Sequence, residues 1–251
     1  MLSSVSTIAS TREHLLSLCI ALVGGPALKE QKTFVDAAVA AGVKRFIPSD
    51  FGSDTSDTRA QAIVPFYTIK ADIIAYLKSK EDAISWTAVI TGAFFDWGLK
   101  VGGWGFNAKD KSVTLFDEGE ATFSATTLHK IGLSLVKVLK HAEETRNQYV
   151  YVSSFNTSQK ELLATAKKIT GGEWAVTKMK TIDHIAAGRE KLAKGDHSGI
   201  PMLIQGAIFQ ASPELGNNVP KGLWNDILGL EPENFEEVVK AGLSGRLVVD
   251  A

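Results

Sequence analysis

Lys70 is the side chain whose position points most directly to chemistry. It lies in "PFYTIKADIIAYLKS", where Pro65 suits the first turn of a helix. With Phe66 set at zero and about 100° per residue, Tyr76, Ile69, Ile73, Leu77, Ile74 and Tyr67 occupy an arc from about −80° to about +100°. Lys70 falls at about +40°, inside that arc, while Asp72 points to the opposite face. A lysine so placed must snorkel past apolar surface, meet an anionic partner, or serve a site in which an ammonium is useful.

Three short segments are suited to build that site. "ALVGGPALKEQ" ends an apolar run in Gly24-Gly25 and opens a helix at Pro26, with Gln31 further on. Glycines there let a ligand approach the backbone, and free N–H groups of a first turn can face phosphate or ribose oxygens, although an ordinary strand-to-helix turn has the same form. "KRFIPSDFG" stops a short apolar strand at Pro48 and enters a polar turn with Ser49 and Phe51. "VITGAFF" ends a third run at Thr91, Gly92 and Phe94. In open α/β sheets ligands bind outside the carboxyl ends of the strands, so these ends share one crevice.

Other chemistries find little support. "GWGFNA", Gly103 to Ala108, matches the dinucleotide fingerprint in letters, but a polar "KDK" and a strand follow where the fingerprint needs a helix. The histidines at 14, 129, 141, 184 and 197 are scattered, and no metal site is expected. No serine sits in a G-x-S-x-G turn. The aromatics Phe94, Phe95, Trp97, Trp104 and Phe106 suit either a core or a wall for a flat apolar substrate.

The elements that must position these residues alternate at short spacing. A capping-box pattern at Ser10 and Glu13 predicts a short helix over 11–17. Strands are predicted in "LCIALVGG", in "KRFIPS" and from Ser85 to Gly92, with helices between them, which argues for a parallel sheet with crossover helices. A hairpin is predicted in "KSVTLFDEGEATFSAT", then a helix, the strand "QYVYVSS", a helix capped by Ser158, the strand "EWAVTKMKT" and a mainly helical C-terminal part. The expected division is 1–155 for the domain built on the parallel sheet and 156–251 for a second lobe.

With 251 residues, 45% apolar, the chain can bury a substantial core. A net charge of −1 gives no footprint for a polyanion, so no nucleic acid partner is expected. Cys19 is the only cysteine, so no internal disulfide forms. The run "LLSLCIALVGG" is shorter than the ~20 residues that span a bilayer, and no basic region precedes it. A soluble cytoplasmic protein without a membrane partner is expected.

At these residues the chain resembles the NmrA-like and isoflavone-reductase-like family of atypical short-chain dehydrogenases and reductases, its fungal type in particular. "AAGVKRFIPSDFG" is similar to a family segment that usually ends Pro-Ser-Glu-Phe-Gly, with Asp50 in place of the glutamate. "FYTIKADIIAYL" is similar to the helix that bears the family's active-site lysine, which maps onto Lys70, and "TGAFFDWGL" is similar to the next strand and aromatic turn. The Tyr-x-x-x-Lys pair of ordinary short-chain dehydrogenases is absent, since Phe66 stands four residues before Lys70.

The resemblance implies an α/β fold with a Rossmann-like parallel sheet, N-terminally truncated because the family's opening G-x-x-G-x-x-G turn has no counterpart here, and a smaller C-terminal α+β substrate lobe. It implies NADPH as cofactor, a small aromatic or secondary-metabolite-like substrate, and Lys70 as general acid/base or as the group that holds the cofactor ribose. Gly24, Gly25, Gln31, Pro48, Ser49, Phe51, Lys70, Thr91, Gly92 and Phe94 are then the candidate cofactor residues. Two alternatives stay open: a non-catalytic NAD(P)-sensing regulator of a transcription factor, which would have a protein partner, and an inactive fragment.

Overall fold

The computed structural model describes residues 18–248; the helix expected over 11–17 lies outside them. An open parallel sheet forms one part of it. Strand β1 (Leu18–Ile20) leads through a 3-10 turn at Gly25–Glu30 into α1 (Gln31–Ala40), and β2 (Arg45–Ile47) follows. Next come α2 (Thr58–Ile63), α3 (Phe66–Lys78) and β3 (Ser85–Ile90). Short β4 (Ala93–Phe94) and α4 (Phe95–Lys100) precede β5 (Phe106–Asn107), β6 (Ser112–Phe116) and β7 (Phe123–Thr126). Helix α5 (Leu128–Lys140) returns the chain to the first sheet as β8 (Gln148–Tyr151). Then β9 (Phe155–Thr157), α6 (Gln159–Thr170), β10 (Ala175–Met179), α7 (Thr181–Ala193), α8 (Gly199–Phe209) and α9 (Phe235–Leu243) complete the order.

The sheet order is β1-β2-β3-β8, all parallel. Ile20 pairs with Ile47, and Ile90 pairs with Tyr151, so all four strands end at one edge. Parallel strands covered on both faces need apolar residues on both, and this sheet has them. Phe46, Trp86 and Ala88 pack with Val35, Ala38, Ile73, Ile74 and Leu77 of α1 and α3. Ile47, Val89, Val150 and Val152 pack on the other face with Val138 of α5.

The hairpin expected over 111–126 does not form. β6 pairs with β5 and β10, whereas β7 pairs with β4 and β9. The turn signal itself is real: Asp117 and Gly119 take positive φ of 51° and 71°. Asp117, however, accepts from the backbone N–H and the hydroxyl of Thr181 at the start of α7, and that long-range tie separates the two strands. The fingerprint-like "GWGFNA" opens β5 and not a helix; a Cβ on Gly105 would lie 2.4 Å from Thr114 O, so close strand packing explains that glycine. Phe95, Trp104 and Phe106 are buried in the core with Phe123 and Phe209, so the aromatic run is mainly core and not a substrate wall.

Candidate active site

The carboxyl edge of the first sheet gathers most of the residues expected there. Gln31, at the start of α1, is buried and accepts from Ser49 N–H through Oε1 at 2.8 Å. Ser49 Oγ in turn donates to Val23 O at 2.7 Å. These bonds lock the exits of β1 and β2 together. Gly52 O accepts from the N–H groups of Thr91 and Gly92, at 3.2 and 2.9 Å, and this joins the exit of β3. Pro48, Thr91 and Gly92 are buried, and Phe51 and Phe94 are half-buried. Gly24 and Gly25 are exposed, Gly25 at φ +57°, and a Cβ at either would meet nothing within 4 Å.

α3 carries Lys70 to this edge. Tyr67, Ile73, Ile74 and Leu77 are its buried positions, and Asp72 is exposed, as the helical arc requires. Lys70 lies between Tyr67 and the Ile73–Ile74 pair on that buried face, and Nζ donates to Phe51 O at 3.4 Å. Burial pushes its amine below the ordinary lysine range, and the Asp50 carboxylate pushes it partly back up.

Several groups around Lys70 were not singled out as site residues in the sequence. Asp50 is 1% exposed; its Oδ1 accepts from Thr55 Oγ1 at 2.8 Å, and its Oδ2 has no hydrogen-bond partner. Burial raises its carboxyl to about 6, against the opposing pull of Lys70 and of the Thr55 hydroxyl. Asp54, also buried, accepts from Ser56 and from Tyr151 Oη at 3.2 Å and forms an ion pair with Lys221 Nζ at 3.3 Å. Tyr67 Oη donates to Ser53 Oγ at 2.8 Å, and burial lifts its phenol to about 12. Burial first, then the carboxylates, also raises the phenols of Tyr149 and Tyr151. The alternation in "QYVYVSS" was the available signal: it puts both tyrosines on one face of a strand that ends at this edge. All three phenols keep their protons near neutrality.

Beside this cluster, Val64, Pro65, Phe66 and Ile69 at the start of α3 face Leu192, Ile200 and Leu203 of α7 and α8 across an apolar cavity of about 240 Å³. No three His, Cys, Asp or Glu side chains form a metal-binding group among the described residues. No helix among them is long and apolar enough to cross a membrane.

An open parallel sheet with crossover helices on both faces defines a Rossmann-like α/β protein. The chain belongs to the NmrA-like family, whose model matches residues 16–183. Oxidoreductase aprR of Aspergillus flavus is 35% identical over 229 residues, covering 90% of this chain and 76% of that protein. Among solved structures, the binary complex of leucoanthocyanidin reductase and NADPH from Vitis vinifera superposes with a TM-score of 0.74 at 19% identity, covering 91% of this chain and 75% of that one. AtPrR2 with NADP+ and (+)pinoresinol gives 0.72 at 21%, covering 89% and 74%. At such identities the structures bear on the fold alone, and they agree with the parallel sheet and its helices.

Proposed function

We propose that the protein is an NADPH-dependent reductase of small aromatic or secondary-metabolite-like compounds, with Lys70 as its general acid/base. One observation carries the reading: a helix with an apolar inner face delivers a single lysine amine to the carboxyl edge of a parallel sheet, beside a buried carboxylate. The oxidoreductase name of aprR and the NADP(H) bound to the two reductases above support it.

The residues present fit the reactive end of such a cofactor. Gly24 and Gly25 leave open space at the exit of β1, and the 3-10 turn that follows has no side-chain cap on its N–H groups. Ser49, Phe51, Thr91 and Gly92 would form the floor of the crevice, with Phe94 at its margin, and Gln31 and Pro48 would hold that floor in shape through their bonds to the Ser49 and Asp50 N–H groups. Among the described residues no glycine-rich strand-to-helix turn of the pyrophosphate-cradling kind is present.

When bound, NADPH supplies a hydride. The chain's own part is acid/base and positional. Lys70 Nζ gives or holds the proton at the substrate oxygen that gains negative charge, a role that partial burial favours by lowering its proton affinity. The cavity formed by Phe66, Ile69 and the α7 and α8 leucines offers an apolar seat for a ring, and it is a little below the ~300–1,000 Å³ usual for small-molecule sites. The four-stranded sheet would be the cofactor half. The substrate lobe, placed at 156–251 by sequence, would share this cavity with α3.

Fluorescence titration of the purified chain with NADPH, followed by NADPH consumption across a panel of aromatic ketones, enones and benzylic ethers, tests the reading. Saturable binding with consumption on at least one compound is expected. Binding without consumption on any of them would favour a cofactor-sensing role instead, and no binding at all would overturn the cofactor assignment.

A further inference from the structure

We propose that Asp50 is the positioning residue of Lys70: its buried carboxylate, fixed by Thr55, keeps the lysine ammonium seated over the Phe51 carbonyl in the crevice. The catalytic consequence rests on the reductase reading, but the pairing does not.

The geometry is specific. Asp50 and Phe51 are consecutive, so one short turn presents both a carboxylate and the carbonyl that accepts from Nζ at 3.4 Å. The turn is fixed, since Asp50 N–H donates to Pro48 O at 2.8 Å and Ser49 is held by Gln31 and Val23. Thr55 anchors only Oδ1, which leaves Oδ2 buried and without a partner. A fully buried carboxylate oxygen with no donor is costly unless a cation compensates it. Lys70 is the cation whose charge favours the Asp50 carboxylate, from one residue's distance along the turn and without a direct ion pair.

The other charged and titratable neighbours do not supply that compensation. Asp54, from the same turn, adds like charge and is itself engaged by Tyr151 and Lys221. Tyr67 of α3 donates to Ser53, and Tyr149 and Tyr151 of β8 are phenols held above their ordinary range. Lys70, for its part, makes among the described residues one hydrogen bond, a long one to the Phe51 carbonyl, so that bond is a weak hold on the charged form. Asp50 therefore decides how long Lys70 stays charged as pH rises. With the carboxylate present the crevice holds an ammonium able to give a proton; without it, desolvation alone acts and the amine becomes neutral at lower pH.

The direct test is NMR titration of the lysine side-chain ε-carbon of Lys70 in the full chain labelled with 13C-lysine, the resonance being assigned by its loss in Lys70→Met. In Asp50→Asn the midpoint should fall by about one pH unit or more, the usual effect of an opposite charge at close range, and Asp50→Glu should restore most of it. An unchanged midpoint in a folded Asp50→Asn protein would overturn the pairing. Should Asp50→Asn not fold, the reciprocal measurement decides. The Asp50 carboxyl, followed by 13C-aspartate labelling, should titrate at higher pH in Lys70→Met than in the native chain, because coupling between two sites is mutual; an unmoved Asp50 midpoint would equally overturn the pairing. Neither readout requires turnover. A shift in Asp50→Asn without NADPH consumption by the native chain would sink the reductase reading alone.

Discussion

At the residue scale, Asp50 makes folding stability depend on pH. Its folded carboxyl titrates at about 6 against an ordinary value of 3.8. A carboxyl raised in the folded state favours its protonated form. Its contribution is therefore fully present below about pH 4 and is lost as pH rises through about 6, an effect of at most about 3 kcal/mol at about 1.4 kcal/mol per unit. Urea denaturation at several pH values between about 4 and 7 should show this loss in the native chain and a flatter profile in Asp50→Asn; equal slopes would contradict the burial argument. Lys70 was legible in the sequence because helical geometry alone puts it on the apolar face. Asp50 stood out only as a departure from Pro-Ser-Glu-Phe-Gly, since its burial depends on α3, Thr55 and β8, which no local pattern reveals.

At the element scale, the three strand exits are tied to one another by backbone bonds and two side chains, and glycine is required where the ties are tightest. Gly92 has φ +63°, and a Cβ there would lie 2.1 Å from Ser124 O on β7. Gly92→Ala should cost more than the ~1–3 kcal/mol of a strained backbone alone, because β4 must also part from β7. A denaturation midpoint close to the native one would show that this junction yields easily. The sequence marked Gly92 as a crevice residue; the packing against β7 that demands glycine was invisible, because β7 lies some thirty residues on in the chain and was expected to pair with β6. The capping reading was sounder because it is local. Ser158 does accept from Glu161 N–H at 3.1 Å, although the Glu161 carboxylate turns to the Thr157 hydroxyl.

At the scale of the whole molecule, alternating strands and helices made the parallel sheet readable, whereas the two smaller sheets were not. Their strands come from 93–126 and from 155–179, so sequence distance hides their partners. What the assembly achieves is one edge at which β1, β2, β3 and β8 all end, with α3 descending onto it and α7 and α8 closing an apolar cavity beside it. The most direct test of that arrangement is NADPH consumption by Lys70→Met beside the native chain, on whichever aromatic substrate the native chain turns over, with circular dichroism as the control for fold. If Lys70 is the acid/base proposed above, its removal should lower turnover about 10²-fold or more while the fold persists. Native-level turnover by a correctly folded Lys70→Met protein would contradict the account at its centre.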